Sequence, residues 1–226
     1  MLTAVVFDFD GIIVDSEPMH YRAFQKVLEP LGAGYSWQEY IDKYMGFDDR
    51  DAFREAYRFH GLQLHEGELT RLIAAKAACF QEVIADGVQP YPGVVDLIRS
   101  LSGTIPLAIC SGALHSDIEP VLQQLSLGGA FDLMVTAEEV QASKPDPASY
   151  RLAVERLQQA FPAAVIKPAA TLAIEDTPAG ITSAVGAGLK VLAVTNSYPA
   201  SELELAVRTV DSLAGISIED LRTLVA

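Results

Sequence analysis

Short apolar runs recur along this chain, and segments of helical periodicity fill most of the intervals between them. The runs lie at 5–7, 106–110, 133–135, 171–174 and 191–194, and none shows the polar alternation of a half-exposed strand. Runs of this length, rich in Val, Ile and Leu, read as strands buried on both faces. Helix-like stretches at 94–101, 116–125, 149–159 and 179–187 separate them. Strand and helix in repetition demand a crossover each time, and right-handed crossovers give a parallel sheet with helices on both faces. The expected fold is therefore α/β, a doubly wound parallel sheet.

The interval 16–90 breaks that rhythm. It holds no convincing strand but three helix-like segments, at 17–31, 48–59 and 66–85, and Pro90-Tyr91-Pro92-Gly93 closes it with turn formers. The interval reads as an all-helical cap inserted after the first strand, with hinges near Asp15 and Tyr91. The catalytic core would comprise residues 1–15 plus 91–226, and the cap residues 16–90.

Half of the 226 residues are hydrophobic, enough for a packed interior. The 30 acidic and 16 basic residues give a formal charge of -14, which argues against non-specific nucleic-acid binding. Cys79 and Cys110 stand far apart, without metal or disulfide spacing, as expected in a reducing cytoplasm. Two aspartates within the first ten residues do not fit a signal peptide. The most apolar stretch, 160–174, is broken by Pro162, Lys167 and Pro168, so no membrane span is expected. Nothing in the sequence marks an obligate protein partner.

The chemistry gathers at the ends of the runs. The first ends in Asp8-Phe9-Asp10-Gly11, and two like charges i, i+2 repel unless a cation or a phosphoryl group stands between them. The second ends in Ser111-Gly112, a hydroxyl and free N–H groups before a helix, which suit a phosphate oxygen and equally an ordinary N-cap. After the third comes Lys144 between Ser143 and Pro145, an ammonium on a restricted backbone that would offset phosphoryl charge or simply be solvated. The fourth ends in Glu175-Asp176, hard oxygen donors of the kind Mg²⁺ takes. Ligands in open α/β sheets bind outside the carboxyl ends of strands, so four such elements would converge on one edge.

Taken together, Asp8-Phe9-Asp10-Gly11, Ser111, Lys144 and Glu175-Asp176 resemble, in order, the four motifs of the haloacid dehalogenase superfamily, in its branch with a helical cap after the first motif. The resemblance covers nearly the whole chain and extends to beta-phosphoglucomutase-like and phosphoglycolate phosphatase-like members. It implies a Rossmann-like α/β core and a Mg²⁺-dependent phosphatase acting on a small phosphorylated metabolite, with a sugar phosphomutase as the alternative. Asp8 would be the nucleophile that becomes an aspartyl-phosphate, and Asp10 the general acid/base. Ser111, Gly112 and Lys144 would hold the phosphoryl group, and Asp8, Asp10 (through its carbonyl), Glu175 and Asp176 would surround the metal. Dehalogenation is disfavoured because that branch lacks an aspartate where Asp10 stands. A non-catalytic phospho-receiver has no use for a cap. Chemically, Asp8 is expected to be ionised at its ordinary pKa, and Asp10 to be raised by its acidic surroundings so that it keeps a proton.

The same resemblance points to four cap residues. His20 matches a histidine of the hinge helix that positions the acid/base. Lys76, four residues from both Leu72 and Phe80 on an apolar stripe, matches a lysine facing the active site, or else snorkels from the stripe's edge. Gly46 and Arg50 belong to the loop that reads the substrate. There the chain departs from the mutase pattern, with Met45 and Asp49 where that pattern has a lysine and an arginine.

Overall fold

The computed structural model describes residues 1–225. The chain enters as β1 (Ala4–Phe7) and then forms four helices, α1 (Glu17–Leu28), α2 (Trp37–Lys43), α3 (Asp49–Phe59) and α4 (Glu66–Ile84). It continues as α5 (Val94–Leu101), β2 (Leu107–Cys110), α6 (His115–Gln124), β3 (Leu133–Val135) and α7 (Ala148–Ala160). The remainder is β4 (Thr171–Glu175), α8 (Pro178–Gly186), β5 (Lys190–Val194), β6 (Arg208–Val210) and α9 (Ile218–Thr223). All strand pairs are parallel, in the order β3-β2-β1-β4-β5-β6.

Successive residues of β1 feed opposite faces, as the period of two requires. Val5 and Phe7 join Ile98, Ile109, Ile118 and Ile174 in one apolar layer. Ala4 and Val6 join Tyr150, Ala153, Ile181 and Val191 in the other. The strand is thus buried on both sides, which explains why it reads as a continuous apolar run. It is also central, with Phe7 in register with Ile109 of β2 and Ile174 of β4. The strand order reverses beside it, so the residue after Phe7 stands at the crevice where such sheets bind ligands.

The helical insert has its own core, in which Phe24, Tyr35, Tyr40, Tyr44, Phe53 and Leu72 are buried together. Tyr35 stacks on Tyr44 with ring centroids 4.1 Å apart. The two chain crossings into the insert lie side by side. Val14 bridges Pro90, and the Tyr91 N–H donates to the Ile13 carbonyl at 3.1 Å.

The insert holds four helices where three were expected. The additional one, α2, is only seven residues long, too short to show a stripe, but Ser36 and Glu39 form a reciprocal capping box at its start. A sixth strand, β6, was also unforeseen; its three residues lie at the sheet edge and are exposed or half-buried. Among the described residues, no helix is long and apolar enough to cross a membrane.

Candidate active site

Asp8 is the first residue beyond β1, fixed there by its N–H donating to the Ile174 carbonyl at 2.9 Å. Its carboxylate meets Lys144, with Nζ 2.9 Å from Oδ1. That ammonium also donates to Glu175 Oε1 at 2.7 Å and to the Cys110 carbonyl at 3.1 Å, so all three of its hydrogens are directed at the sheet edge. Glu175 in turn is fully engaged. Oε1 accepts from Tyr150 Oη at 2.9 Å, and Oε2 from the N–H groups of Asp176 and Thr177. A Cβ on Gly180 would lie 1.9 Å from this carboxylate, so only glycine lets α8 begin so close to it. Tyr150 and Gly180 fix the lysine through Glu175. Burial, then repulsion from Glu175, push the Asp8 carboxyl up to about 8, against the pull of Lys144. The expectation that Asp8 ionises unaided is thereby corrected, because it assumed a water-exposed carboxylate and this one is 6% exposed.

Asp8, Glu175 and Asp176 each offer an oxygen within 4.8 Å of the others. Asp176 Oδ2 accepts from Ser197 Oγ, while Oδ1 is buried without a partner among the described residues. Burial, Glu175 and Asp8 raise the Asp176 carboxyl well above its ordinary value. Three buried carboxylates with an orphaned oxygen and no compensating charge beyond Lys144 fit a hard divalent cation. Gly11 makes the cluster possible. It adopts φ +77°, and a Cβ there would fall 2.0 Å from Asp176 Oδ2. Asp10, expected to offer its main-chain carbonyl, has its carboxylate turned to Ser16 and His20.

That carboxylate is held on the other side. Oδ1 accepts from Ser16 Oγ at 2.5 Å and lies 3.0 Å from His20 Nε2, and Oδ2 lies 3.4 Å from Ser111 Oγ. Behind His20, Lys76 Nζ lies 2.9 Å from Nδ1, 2.8 Å from Asp49 Oδ1 and 3.2 Å from Asp117 Oδ2. An ammonium carries only donors, so it occupies the Nδ1 lone pair, and Nε2 carries the proton that is donated to Asp10. Stacking of the imidazole on Phe80, centroids 4.4 Å apart, fixes the ring. Burial alone would raise the Asp10 carboxyl, but His20, the Ser16 hydrogen bond and the charge of Lys76 hold it well below the usual carboxylate range. The expected upward shift of Asp10 is therefore reversed, since the donors and cation around it outweigh burial and the nearby acids Asp8 and Glu17. Lys76 does not snorkel either. It is fully buried and reaches the site through His20 and Asp49.

Above these groups the insert and the sheet edge enclose a cavity of about 60 Å³ lined by Asp8, Asp10, His20, Gly46, Gly112 and Lys144. That is room for a handful of waters. From its side come Glu17, Phe24, Tyr40, Phe47, Asp48 and Asp49. Arg50 does not line this cavity. Its guanidinium folds back on Asp48 Oδ2, at 3.0 Å from Nε and 2.6 Å from Nη2. Ser111 sits below, with Oγ accepting from the Ala113 N–H at 2.9 Å. Of the functional contacts, those of Ser16, Asp117 and Tyr150 had no signal in their own neighbourhoods. Ser197 alone was reachable by rule, since it follows a strand end.

Comparison with known proteins agrees with this geometry. The model of haloacid dehalogenase-like hydrolases matches residues 5–194. The fructose-1-phosphate phosphatase YqaB of Escherichia coli strain K12 is 29% identical over 192 residues, covering 84% of this chain and 95% of the relative. A mutant of CbbY from Rhodobacter sphaeroides, solved in complex with xylulose-(1,5)bisphosphate, superposes with a TM-score of 0.87 at 25% identity, covering 98% of this chain and 99% of that one. Beta-phosphoglucomutase from Clostridium difficile has the same fold, with a TM-score of 0.87 at 22% identity, 100% of this chain and 97% of that one. With its strand-end motifs drawn to one sheet edge beneath a helical cap, the chain belongs to the haloacid dehalogenase-like hydrolases.

Proposed function

We propose that this enzyme is a Mg²⁺-dependent phosphatase that hydrolyses a small phosphorylated metabolite through an aspartyl-phosphate on Asp8. The observation that carries the reading is the Asp8 carboxylate at a cap-covered strand end, opposite a triply anchored Lys144 at 2.9 Å. Asp8 attacks phosphorus, the P–O bond to the leaving group breaks, and the leaving oxygen takes a proton. Water then attacks the same phosphorus and restores Asp8. Lys144, Ser111 and the Gly112 N–H hold the equatorial oxygens and offset their charge. Asp10, ionised at rest, is suited to take the proton of the attacking water, and His20 Nε2–H keeps its carboxylate aligned. To act as the acid in the first step Asp10 must gain a proton when the dianionic substrate arrives. Asp8, Asp176 and the Asp10 carbonyl would hold Mg²⁺, with Glu175 beside them, and the bound cation would supply the positive charge that favours an anionic Asp8 and a phosphate dianion in one cavity.

The supporting relatives include a fructose-1-phosphate phosphatase, which places sugar phosphates first in any panel. We assign residues 1–15 plus 91–226 to the core and 16–90 to the cap, supported by the paired crossings at Val14 and Pro90. Both cysteines are free, in keeping with a cytoplasmic enzyme. The test is phosphate release from sugar phosphates, phosphoglycolate and nucleotides with Mg²⁺, beside Asp8→Asn. Release by the parent and none by the variant is expected, and undiminished turnover by Asp8→Asn would sink the mechanism. A phosphomutase would instead yield glucose 6-phosphate from glucose 1-phosphate without net release.

A further inference from the structure

We propose that the cap wall of the cavity selects a neutral, hydroxyl-rich leaving group, so that the enzyme hydrolyses monophosphate esters and rejects sugar bisphosphates. The inference rests on the phosphatase reading above and narrows its substrate class. Among the described residues lining the cavity, Lys144 and His20 are the only bases. Both are committed. Lys144 is anchored by Asp8, Glu175 and the Cys110 carbonyl at the end where the transferring phosphoryl group binds, and His20 lies between Lys76 and Asp10. The cap contributes three carboxylates instead, those of Glu17, Asp48 and Asp49, the last two paired on one side with Arg50 and Lys76.

Arg50 does not line this cavity but a smaller neighbouring one, beside Gly112, Ser143 and Lys144. Besides its two contacts with Asp48, it donates from Nη1 to the Val140 carbonyl at 3.2 Å. Asp49 is 8% exposed, and its Oδ2 finds no hydrogen-bond partner among the described residues. An ionised carboxylate only accepts, so this oxygen needs a donor. A sugar hydroxyl is a donor, whereas a phosphate dianion adds further acceptors and like charge. The rings of Phe24, Tyr40 and Phe47 complete a wall suited to the apolar faces of a polyol or sugar. The chain would thus part company with its bisphosphate-bound structural neighbour at the far end of the cavity while sharing the near end.

The experiment compares each monophosphate found to release phosphate with its bisphosphate, fructose 1-phosphate with fructose 1,6-bisphosphate among them. The bisphosphate is expected to show kcat/KM lower by at least about tenfold, the scale of a like-charge mismatch. In an Asp49→Asn, Glu17→Gln double variant the ratio is expected to move toward unity. Glu17→Gln alone supplies the same readout should the double variant fail to fold. Equal or faster turnover of bisphosphates by the parent overturns the inference while leaving the phosphatase reading intact. An unchanged ratio in a folded variant overturns it too, because rejection would then be steric. Absence of release from every ester overturns the phosphatase reading, and this inference with it.

Discussion

Replacing Lys76 by Met probes the buried network behind His20 by removing the charge while keeping an unbranched side chain. The parent ammonium is fully buried and within 3.2 Å of two carboxylates from different parts of the fold, Asp49 of α3 and Asp117 of α6. In the variant both lose their counter-charge while remaining out of water. Removing one partner of a buried ion pair costs about 3–5 kcal/mol. For a chain of this size each kcal/mol is worth about 2–4 °C of Tm, so a fall of about 6–20 °C is expected. The sign with pH is also fixed. Burial holds the Asp117 carboxyl above its ordinary value even with Lys76 pulling it down, and losing Lys76 lifts it further. A carboxyl raised in the folded state is destabilising above its folded pKa, and the penalty fades as pH falls toward the unfolded value. The gap between parent and variant should therefore narrow between pH near 7.5 and pH near 5.5 in thermal unfolding followed by circular dichroism. A variant melting within about 2 °C of the parent near neutrality, or a gap that widens on acidification, would refute the argument.

Three further outcomes are expected. Gly11→Ala combines a positive φ, worth about 1–2 kcal/mol against alanine, with a Cβ in collision with the Asp176 carboxylate, so it should lose both stability and turnover. Normal kcat in that variant would mean the loop can shift at no cost. Tyr150→Phe deletes a hydrogen bond to the buried Glu175 and should lower stability by about 1.5–3 kcal/mol, read by urea unfolding. Addition of Mg²⁺ to the metal-free protein should raise Tm, and Asp176→Asn should abolish that rise, a binding readout independent of activity. A rise that persists in the variant would place the cation elsewhere.

The strand ends were legible because β1, β2 and β4 are buried on both faces and each breaks into polar residues at the crevice. Once those strands are aligned, Asp8, Ser111 and Glu175 must share an edge. What was not legible depends on pairs distant in sequence. Lys76 reads on its helix as a misplaced charge, and only the approach of Asp49 and of Asp117, 41 residues away from it, makes it a satisfied one. The ionisation of Asp8 and Asp10 was misjudged for the same reason, since sequence spacing shows that two carboxylates are close but not which donors each one meets. Arg50 illustrates a third limit. The expected cap loop gives way to α3 at Asp49, so Arg50 stands on its first turn, and the choice between cavity and Asp48 is made by a rotamer.

The side-by-side crossings at Val14 and Pro90 carry a consequence for how such enzymes diversify. Because the chain leaves and re-enters the sheet at nearly one point, the segment between is attached like a bead on a closed loop of thread. Its length and content can change without altering the register of any strand. Bond-breaking machinery and substrate choice can then be inherited separately, and a helical segment from one relative could be grafted onto the sheet of another at these two residues.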